Sequence, residues 1–281
     1  MPTKRSGKSG LRQLTSKPVS SEECRNAALV LKHAHDSASA LLKAFNLAKS
    51  QRGGKVVRGM TTDPEQDLLR AMLVMAAAGL DAMAKQLIED SLPALVQIDP
   101  AVKKGLETFI ARRIKGDGES TRGLSGGKFV ARILAAPSHQ AQVIREYIEE
   151  LTGGSLQSVG ELRRTAEALG VRITATDDRT LQPIFNIRNT IIHELDMNLQ
   201  GDRRKRNLRK EGDMIRHTNV LLEVAENMRD AVDRKLAESG RLATGPFFWY
   251  PEGFLGGTYS PSWGPVNVGE VRITPLYRNV P

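Results

Sequence analysis

Apolar positions along this chain recur mostly every three or four residues, the spacing of helices that bury one stripe. Ser21, followed by Glu22, Glu23 and a run of Ala and Leu, predicts a capped helix start, and that helix runs to about Ser50. Thr62-Asp63-Pro64-Glu65 predicts a second start, with Pro near the first turn. The stretch that follows is the most apolar of the chain. Leu69, Met72, Leu73, Ala76, Leu80, Met83, Ala84, Leu87 and Ile88 fall at helical spacing, which makes it the central core helix, ended or kinked by Pro93. Shorter helices are predicted over 100–115, 128–135, 139–151 and 159–169. Another is expected from near Thr180 to about Leu199, with Pro183 in its first turn and Ile184, Ile187, Ile191 and Leu195 as its buried stripe. A last long helix opens at Asp213, carries Val220, Leu221, Val224, Met228, Val232 and Leu236, and ends at Gly240.

The segments between are polar or rich in breakers. Residues 1–20, with their Ser, Gly, Lys and Arg, are expected to be disordered. The stretch 51–60, with Gly53, Gly54 and Gly59, reads as a basic loop, and 120–127 as another loop. Past Ala243 the chain changes character: the last 38 residues hold eight of the thirteen aromatics among frequent Gly and Pro, and 268–276 reads as a strand or hairpin. The expected architecture is therefore mostly α. It has a basic arm and helix (1–60), a helical bundle (61–242) and a Gly/Pro/aromatic extension that can carry short strands (243–281).

Composition narrows this picture. Aromatics are too few to fill a core, so Leu, Ile, Val, Met and Ala must do so, which favours helix-on-helix packing. No apolar run is expected to reach membrane-spanning length, and the basic N-terminus lacks the apolar centre of a secretory signal. A single cysteine, Cys24, excludes an internal disulfide and a cysteine-rich zinc site. A cytoplasmic protein is the expectation. The net charge of +9 is concentrated in residues 1–60, where twelve Lys or Arg face three acidic residues; the remainder balances to zero. A basic arm either attracts polyanions or is simply a solvated tail.

The candidate chemistry lies in Ile187-Arg188-Asn189-Thr190-Ile191-Ile192-His193-Glu194. Within about two helical turns it places a cation, an amide, an imidazole and a carboxylate. At 100° per residue Asn189 and His193 share a face, whereas Arg188 lies more than 100° from His193. One copy of the helix therefore does not aim both groups at one atom, and a two-fold pairing of copies could. A cluster of cations follows: Arg203, Arg204, Lys205, Arg206, Arg209 and Lys210. It is suited to backbone phosphate. An ion-paired Arg, a partly buried His and a solvated basic loop are the structural alternatives.

This order, an Arg followed by a polar residue and, four positions later, a His, resembles the R-x4-6-H motif of the HEPN superfamily, many of whose members are metal-independent ribonucleases. The resemblance spans roughly 62–240 and leaves out the N-terminal helix and the aromatic extension. It implies a bundle of four or five helices with the motif on a late one, a homodimer with paired motifs facing each other, and RNA as substrate. Arg188, Asn189 and His193 would be catalytic. Asp81, in Leu80-Asp81-Ala82-Met83, would match the family's acidic position and anchor Arg188, with Glu194 in support. No cofactor or metal is implied. The family's usual roles imply a toxin, a defence effector or an RNA-processing enzyme, sometimes restrained by an antitoxin or regulatory partner. A HEPN-like module that binds RNA or protein without cutting is the alternative.

The remaining motifs carry less. Gly123-Leu124-Ser125-Gly126-Gly127-Lys128 has the wrong spacing for a phosphate loop, lacks a hydroxyl after Lys128 and follows no apolar strand, so ATP binding is rejected. His33 and His35 lack partners for a metal. His139 has no chemical context, and His217 is a second candidate only by its place after the basic loop. Trp249, Tyr250, Trp263 and Tyr277 either stack bases, dock a partner or pack on the chain's own helices.

Overall fold

The computed structural model describes residues 10–15, 18–51, 61–115, 126–173, 178–198 and 205–243. After a single 3-10 turn at Glu22–Cys24 come helices α1 (Arg25–Gln51), α2 (Asp63–Ile98), α3 (Pro100–Lys115), α4 (Gly126–Ala135), α5 (His139–Thr152), α6 (Val159–Ala168), α7 (Asp178–Glu194) and α8 (Glu211–Ala243). Two short strands, β1 (Met197–Asn198) and β2 (Lys205–Arg206), pair antiparallel between α7 and α8, with Met197 opposite Arg206 and Asn198 opposite Lys205. The protein is a mostly α-helical bundle.

Helix α2 is the axis of the bundle. Its start is fixed by a capping box: the Thr62 amide donates to the Glu65 carboxylate at 2.8 Å, and Thr62 reciprocates toward the amide of Glu65. Its apolar side chains point in every direction because neighbours cover most of its circumference, α1 and α8 above all. Pro93 does not end it. The ring forfeits one backbone bond, but Leu92 and Leu95, both fully buried on either side, keep the last turns packed. By length and composition this helix could also cross a membrane, contrary to the sequence expectation, yet more than half of its most apolar window is buried inside the bundle.

Helix α1 belongs to the same core. Leu31, Ala38, Leu42 and Phe45 pack with Leu73, Leu80 and Leu87 of α2, so residues up to 51 are part of the bundle that the sequence reading began at 61. The crossing is close because α2 offers Gly79 there; a Cβ at that position would lie 2.1 Å from the Cβ of Ala34. Helix α8 closes the other side with Leu221, Leu222, Ala225, Met228 and Val232, and runs past Gly240 to Ala243.

The arm departs from expectation. Residues 10–15 and 18–20 form neither helix nor strand but are docked, because α8 presents acceptors every seventh residue, two turns apart on one face. Asn219 accepts from the Arg12 amide at 2.8 Å, and Glu226 takes the Thr15 amide and hydroxyl and the Arg12 guanidinium. Asp233 takes the amides of Ser20 and Ser21. The Ser21 hydroxyl also goes to Asp233, so it does not cap the helix that follows. His35 bonds the Arg12 carbonyl at 2.8 Å, and Leu11, Leu14 and Val19 pack on the core. Cys24 is fully buried beside this junction, its thiol pushed up to about 11 by burial, and so is chemically quiet. The loops expected at 51–60 and 120–127 fall largely, and the strand at 268–276 wholly, outside the described residues, as does the aromatic extension from 244 on.

Two outcomes follow. Gly79→Ala should destabilise by about 1–3 kcal/mol through overpacking at the α1–α2 crossing, and adding Ala34→Gly should recover much of it in urea denaturation. Glu226 and Asp233 are both held below the ordinary carboxylate range: burial raises each, and the bonds from Thr15 and Arg12, or from Ser20 and Ser21, outweigh it. A depressed carboxyl stabilises fully above its unfolded value, 4.5 for Glu and 3.8 for Asp, and the contribution is lost as pH falls through the lower folded value. Amide exchange at Arg12, Thr15, Ser20 and Ser21 should therefore stay slow near neutrality and accelerate, relative to core amides, below about pH 4.

Candidate functional site at the end of helix α7

Helix α7 is held to the bundle by Leu181, Ile184 and Phe185, all buried, with Ile187 and Ile191 partly so. Pro183 lies in its second turn, not in the first as expected, so the ring forfeits one backbone bond there, on the exposed side of the helix. The last two turns therefore point their polar residues outward from a fixed base.

Arg188 and Asn189 form a relay at this surface. Arg188 Nη1 donates to Asn189 Oδ1 at 2.9 Å, and Asn189 Nδ2 donates to the Gln157 carbonyl at 3.0 Å, in the loop between α5 and α6. That backbone contact fixes which way the amide faces and hence which oxygen the guanidinium meets. Arg188 is half-buried, and its Nε is buried without a hydrogen-bond partner. His193, one turn beyond Asn189, is exposed and makes no hydrogen bond among the described residues, and Glu194 beside it is exposed too. No hydrogen bond joins Arg188 to His193. Among the described residues no three His, Cys, Asp or Glu are grouped to hold a metal.

Asp81 does not anchor Arg188, as the sequence reading expected. Its carboxylate accepts from Lys85, one turn along α2, at 3.1 Å and from the Leu156 amide at 2.9 Å. It reaches the motif only through the same loop that Asn189 touches one residue later. His217 is half-buried, and burial followed by the nearby Arg216 charge holds its pKa below the usual value, which keeps it neutral near pH 7.

Beyond Glu194 the chain does something its sequence hides. Helix α7 stops five residues earlier than expected because Leu195 and Asp196 both turn left-handed, at φ of 51° and 58°. Neither is Gly, and each such residue costs roughly 1–2 kcal/mol. The turn is closed by the Asp196 amide bonding the Thr190 carbonyl at 2.9 Å and by the Asn207 amide bonding the Asp196 carbonyl at 2.8 Å. Leu195, expected in the buried stripe, is 71% exposed.

What holds this geometry is the Asp196 carboxylate, which has no exposed surface. It accepts from Arg70 Nε at 2.7 Å, from Arg209 Nε at 3.0 Å and again through Nη2, and from Asn207 Nδ2 at 3.1 Å. Burial raises the carboxyl, but the two guanidiniums and the amide win and hold it below the ordinary range. Arg70 also bonds the Asn207 carbonyl at 2.7 Å and Asp67 at 3.0 Å. Gln66 exchanges both hydrogen bonds with the Arg209 backbone, at 2.9 and 2.7 Å. Arg206 pairs with Asp67 at 2.6 Å and reaches the Leu195 carbonyl at 3.3 Å.

The basic cluster is thus divided. Arg209 is engaged by the buried Asp196, and Arg206 is paired at the surface with the exposed Asp67, so both of these expected RNA contacts already have a carboxylate partner. Lys205 and Lys210 are exposed and carry no ion pair among the described residues, while Arg203 and Arg204 lie outside those residues. Sequence reasoning missed Asp196 and Arg70. The available signal was Arg70 itself, a cation set between Leu69 and Met72 in the most apolar helix, which requires a buried carboxylate from elsewhere.

The chain was compared with protein-family models, curated proteins and solved structures, and none matched.

Because Leu195 is exposed yet held left-handed, Leu195→Gly should raise stability by roughly 1 kcal/mol in chemical denaturation. Asp196→Ala, which strands two guanidiniums in a buried setting, should lower it by about 3–5 kcal/mol.

Proposed function

We propose that this chain is a metal-independent endoribonuclease of the HEPN type, acting as a pair of copies. The observation that carries the reading is the state of His193: solvent-exposed, unbonded among the described residues, near the end of a helix seated by buried Leu181, Ile184 and Phe185, one turn from an Arg–Asn pair already oriented by the Gln157 carbonyl. A histidine used only for packing would be buried or bonded.

The chemistry needs no group beyond those the chain and the RNA supply. The RNA 2′-hydroxyl attacks the adjacent phosphorus, and its proton passes to a base. The bond to the 5′-oxygen breaks as that oxygen takes a proton from an acid. The products are a 2′,3′-cyclic phosphate and a 5′-hydroxyl. His193 serves one of the two proton transfers, since an imidazole exchanges protons near neutrality. Arg188 stabilises the charge that grows on the phosphoryl oxygens, with a fork that lysine lacks. Asn189 holds the guanidinium in place and limits its swing.

A second copy supports this chemistry in two ways. Arg188 and His193 point to different sides of α7, so pairing brings one copy's His toward the other's Arg. The surroundings of His193 also suit a partner. Leu195, Leu208 and Ile192, all on or soon after the end of α7, are 71%, 73% and 40% exposed, apolar surface suited to a second copy. A toxin or defence effector is the biological role such an activity fits. Non-catalytic binding of RNA or protein through the same surface is the second reading, favoured by the engagement of Arg188 with Asn189 in the single copy.

Cleavage of labelled RNA in EDTA tests the proposal. Wild type should cut, and His193→Ala and Arg188→Ala should each lose on the order of a hundredfold or more. Equal cutting by all three would overturn the assignment, and binding without cutting by wild type would favour the second reading.

A further inference from the structure

The exit from α7 builds a second feature that the nuclease chemistry does not require. Six cations were candidates for meeting a polyanion, but the four described ones have two different fates. Arg209 places both ends of its guanidinium on Asp196, and Arg206 is bound by Asp67 and the Leu195 carbonyl. For Arg209 to turn toward a phosphate, Asp196 would lose one of the two cations that neutralise it at a site with no exposed surface. Lys205 and Lys210 face no such constraint. Both are exposed, neither is paired among the described residues, and each ammonium is a mobile point charge suited to phosphate without base preference.

Their placement is set by the buried cluster. Lys205 stands opposite Asn198 in the two-strand ladder. Lys210 precedes α8, its carbonyl taking the Asp213 and Met214 amides at 3.1 and 3.0 Å. Between them run Asn207, whose backbone is bonded by Asp196 and Arg70, and Arg209, whose backbone is bonded by Gln66. The lysines are five residues apart, so their Cα atoms lie within about 18 Å of each other, inside the span of a few nucleotides of one strand. The whole segment is joined to α7 three residues past His193.

We propose that Lys205 and Lys210 are contacts for the phosphate backbone of single-stranded RNA, and that Asp196 is the positioning residue that seats them beside the end of α7. Arg206 and Arg209 are internal ties and do not touch the strand. Only the identity of the polyanion rests on the ribonuclease reading; the division between contact and tie rests on the geometry.

Counterion release separates the two roles, because a cation that touches phosphate steepens the salt dependence of binding and an internal tie does not. The probe is a fluorescent 2′-O-methyl oligoribonucleotide, which full-length protein can bind but cannot cut by 2′-hydroxyl attack. Anisotropy titrations across a range of KCl give the slope of log Kd against log salt. Lys205→Ala and Lys210→Ala should each flatten that slope by about 0.7, and the double variant by about twice that. Arg206→Gln combined with Asp67→Asn removes an exposed tie without changing net charge and should leave the slope unchanged. Asp196→Asn combined with Arg209→Gln removes the seat at constant net charge and, in protein that still melts cooperatively, should weaken binding and flatten the slope by misplacing the two lysines. Lysine variants that leave the slope unaltered, or an Arg206→Gln, Asp67→Asn pair that flattens it as much as a lysine does, would overturn the proposal. So would failure of wild type to bind the probe. Salt slopes as expected, together with no cutting of ordinary RNA, would retain the phosphate contacts and discard only the nuclease reading.

Discussion

The Asp196 carboxylate sits where α7, the two-strand ladder and α2 converge, and the geometry of the candidate site depends on it. A carboxylate without exposed surface is tenable only with its charge met and its lone pairs filled, and here two guanidiniums and an amide do both. In return the chain after the motif helix passes through two left-handed residues, of which Leu195 is the disfavoured one and Asp196 a type that tolerates that region. The strain is local, but its consequence is not. It ends α7 one residue past His193, turns Leu195 outward and brings the basic segment back along α2. Without that anchor the end of α7 would fray, and the groups around His193 would lose their fixed spacing.

Seen this way the bundle and the site are parts of one design. Helix α2 is apolar nearly all round because other helices cover it, and it spends its few polar positions near its N-terminal end on Gln66, Asp67 and Arg70. All three hold the chain that follows α7. At the other end of the motif, the loop between α5 and α6 holds Asn189 by a carbonyl and Asp81 by an amide. The last turns of the motif helix are therefore gripped at Asn189 by a backbone carbonyl and beyond Glu194 by the Asp196 cluster, while His193 and Glu194 stay exposed. On the opposite side α8 uses Asn219, Glu226 and Asp233 to seat the N-terminal segment, a task that consumes part of the basic arm's charge.

Much of this was legible in the sequence wherever a rule is local. The helix-spaced apolar run after Thr62, the start with Pro64 in the first turn there and the starts at His139 and Val159 correspond to helices of the structure. The rules failed where a distant partner decides. Pro93 was read as an end or a kink, yet buried Leu92 and Leu95 carry α2 through it to Ile98. Gly240 was read as a stop, and α8 continues to Ala243. The first twenty residues looked disordered by composition because nothing local announces that α8 holds acceptors for them. Within the site, the exposure of His193 suits the motif reading, but Asp81 went to Lys85 and Leu156 instead of Arg188. Asp196 was invisible because its partner Arg70 lies 126 residues away and because the left-handed Leu195 before it contradicts the residue type there.

The claim on which the functional account stands is that the RNA's own 2′-hydroxyl is the nucleophile beside His193. The most direct measurement maps a cut site on an RNA in EDTA, then repeats the reaction with a single 2′-deoxy nucleotide on the 5′ side of that bond. The account predicts a 2′,3′-cyclic phosphate on the upstream fragment, a 5′-hydroxyl on the downstream one, and no cutting at the deoxy position. Cutting at the deoxy position, or a 5′-phosphate on the downstream fragment, would contradict it.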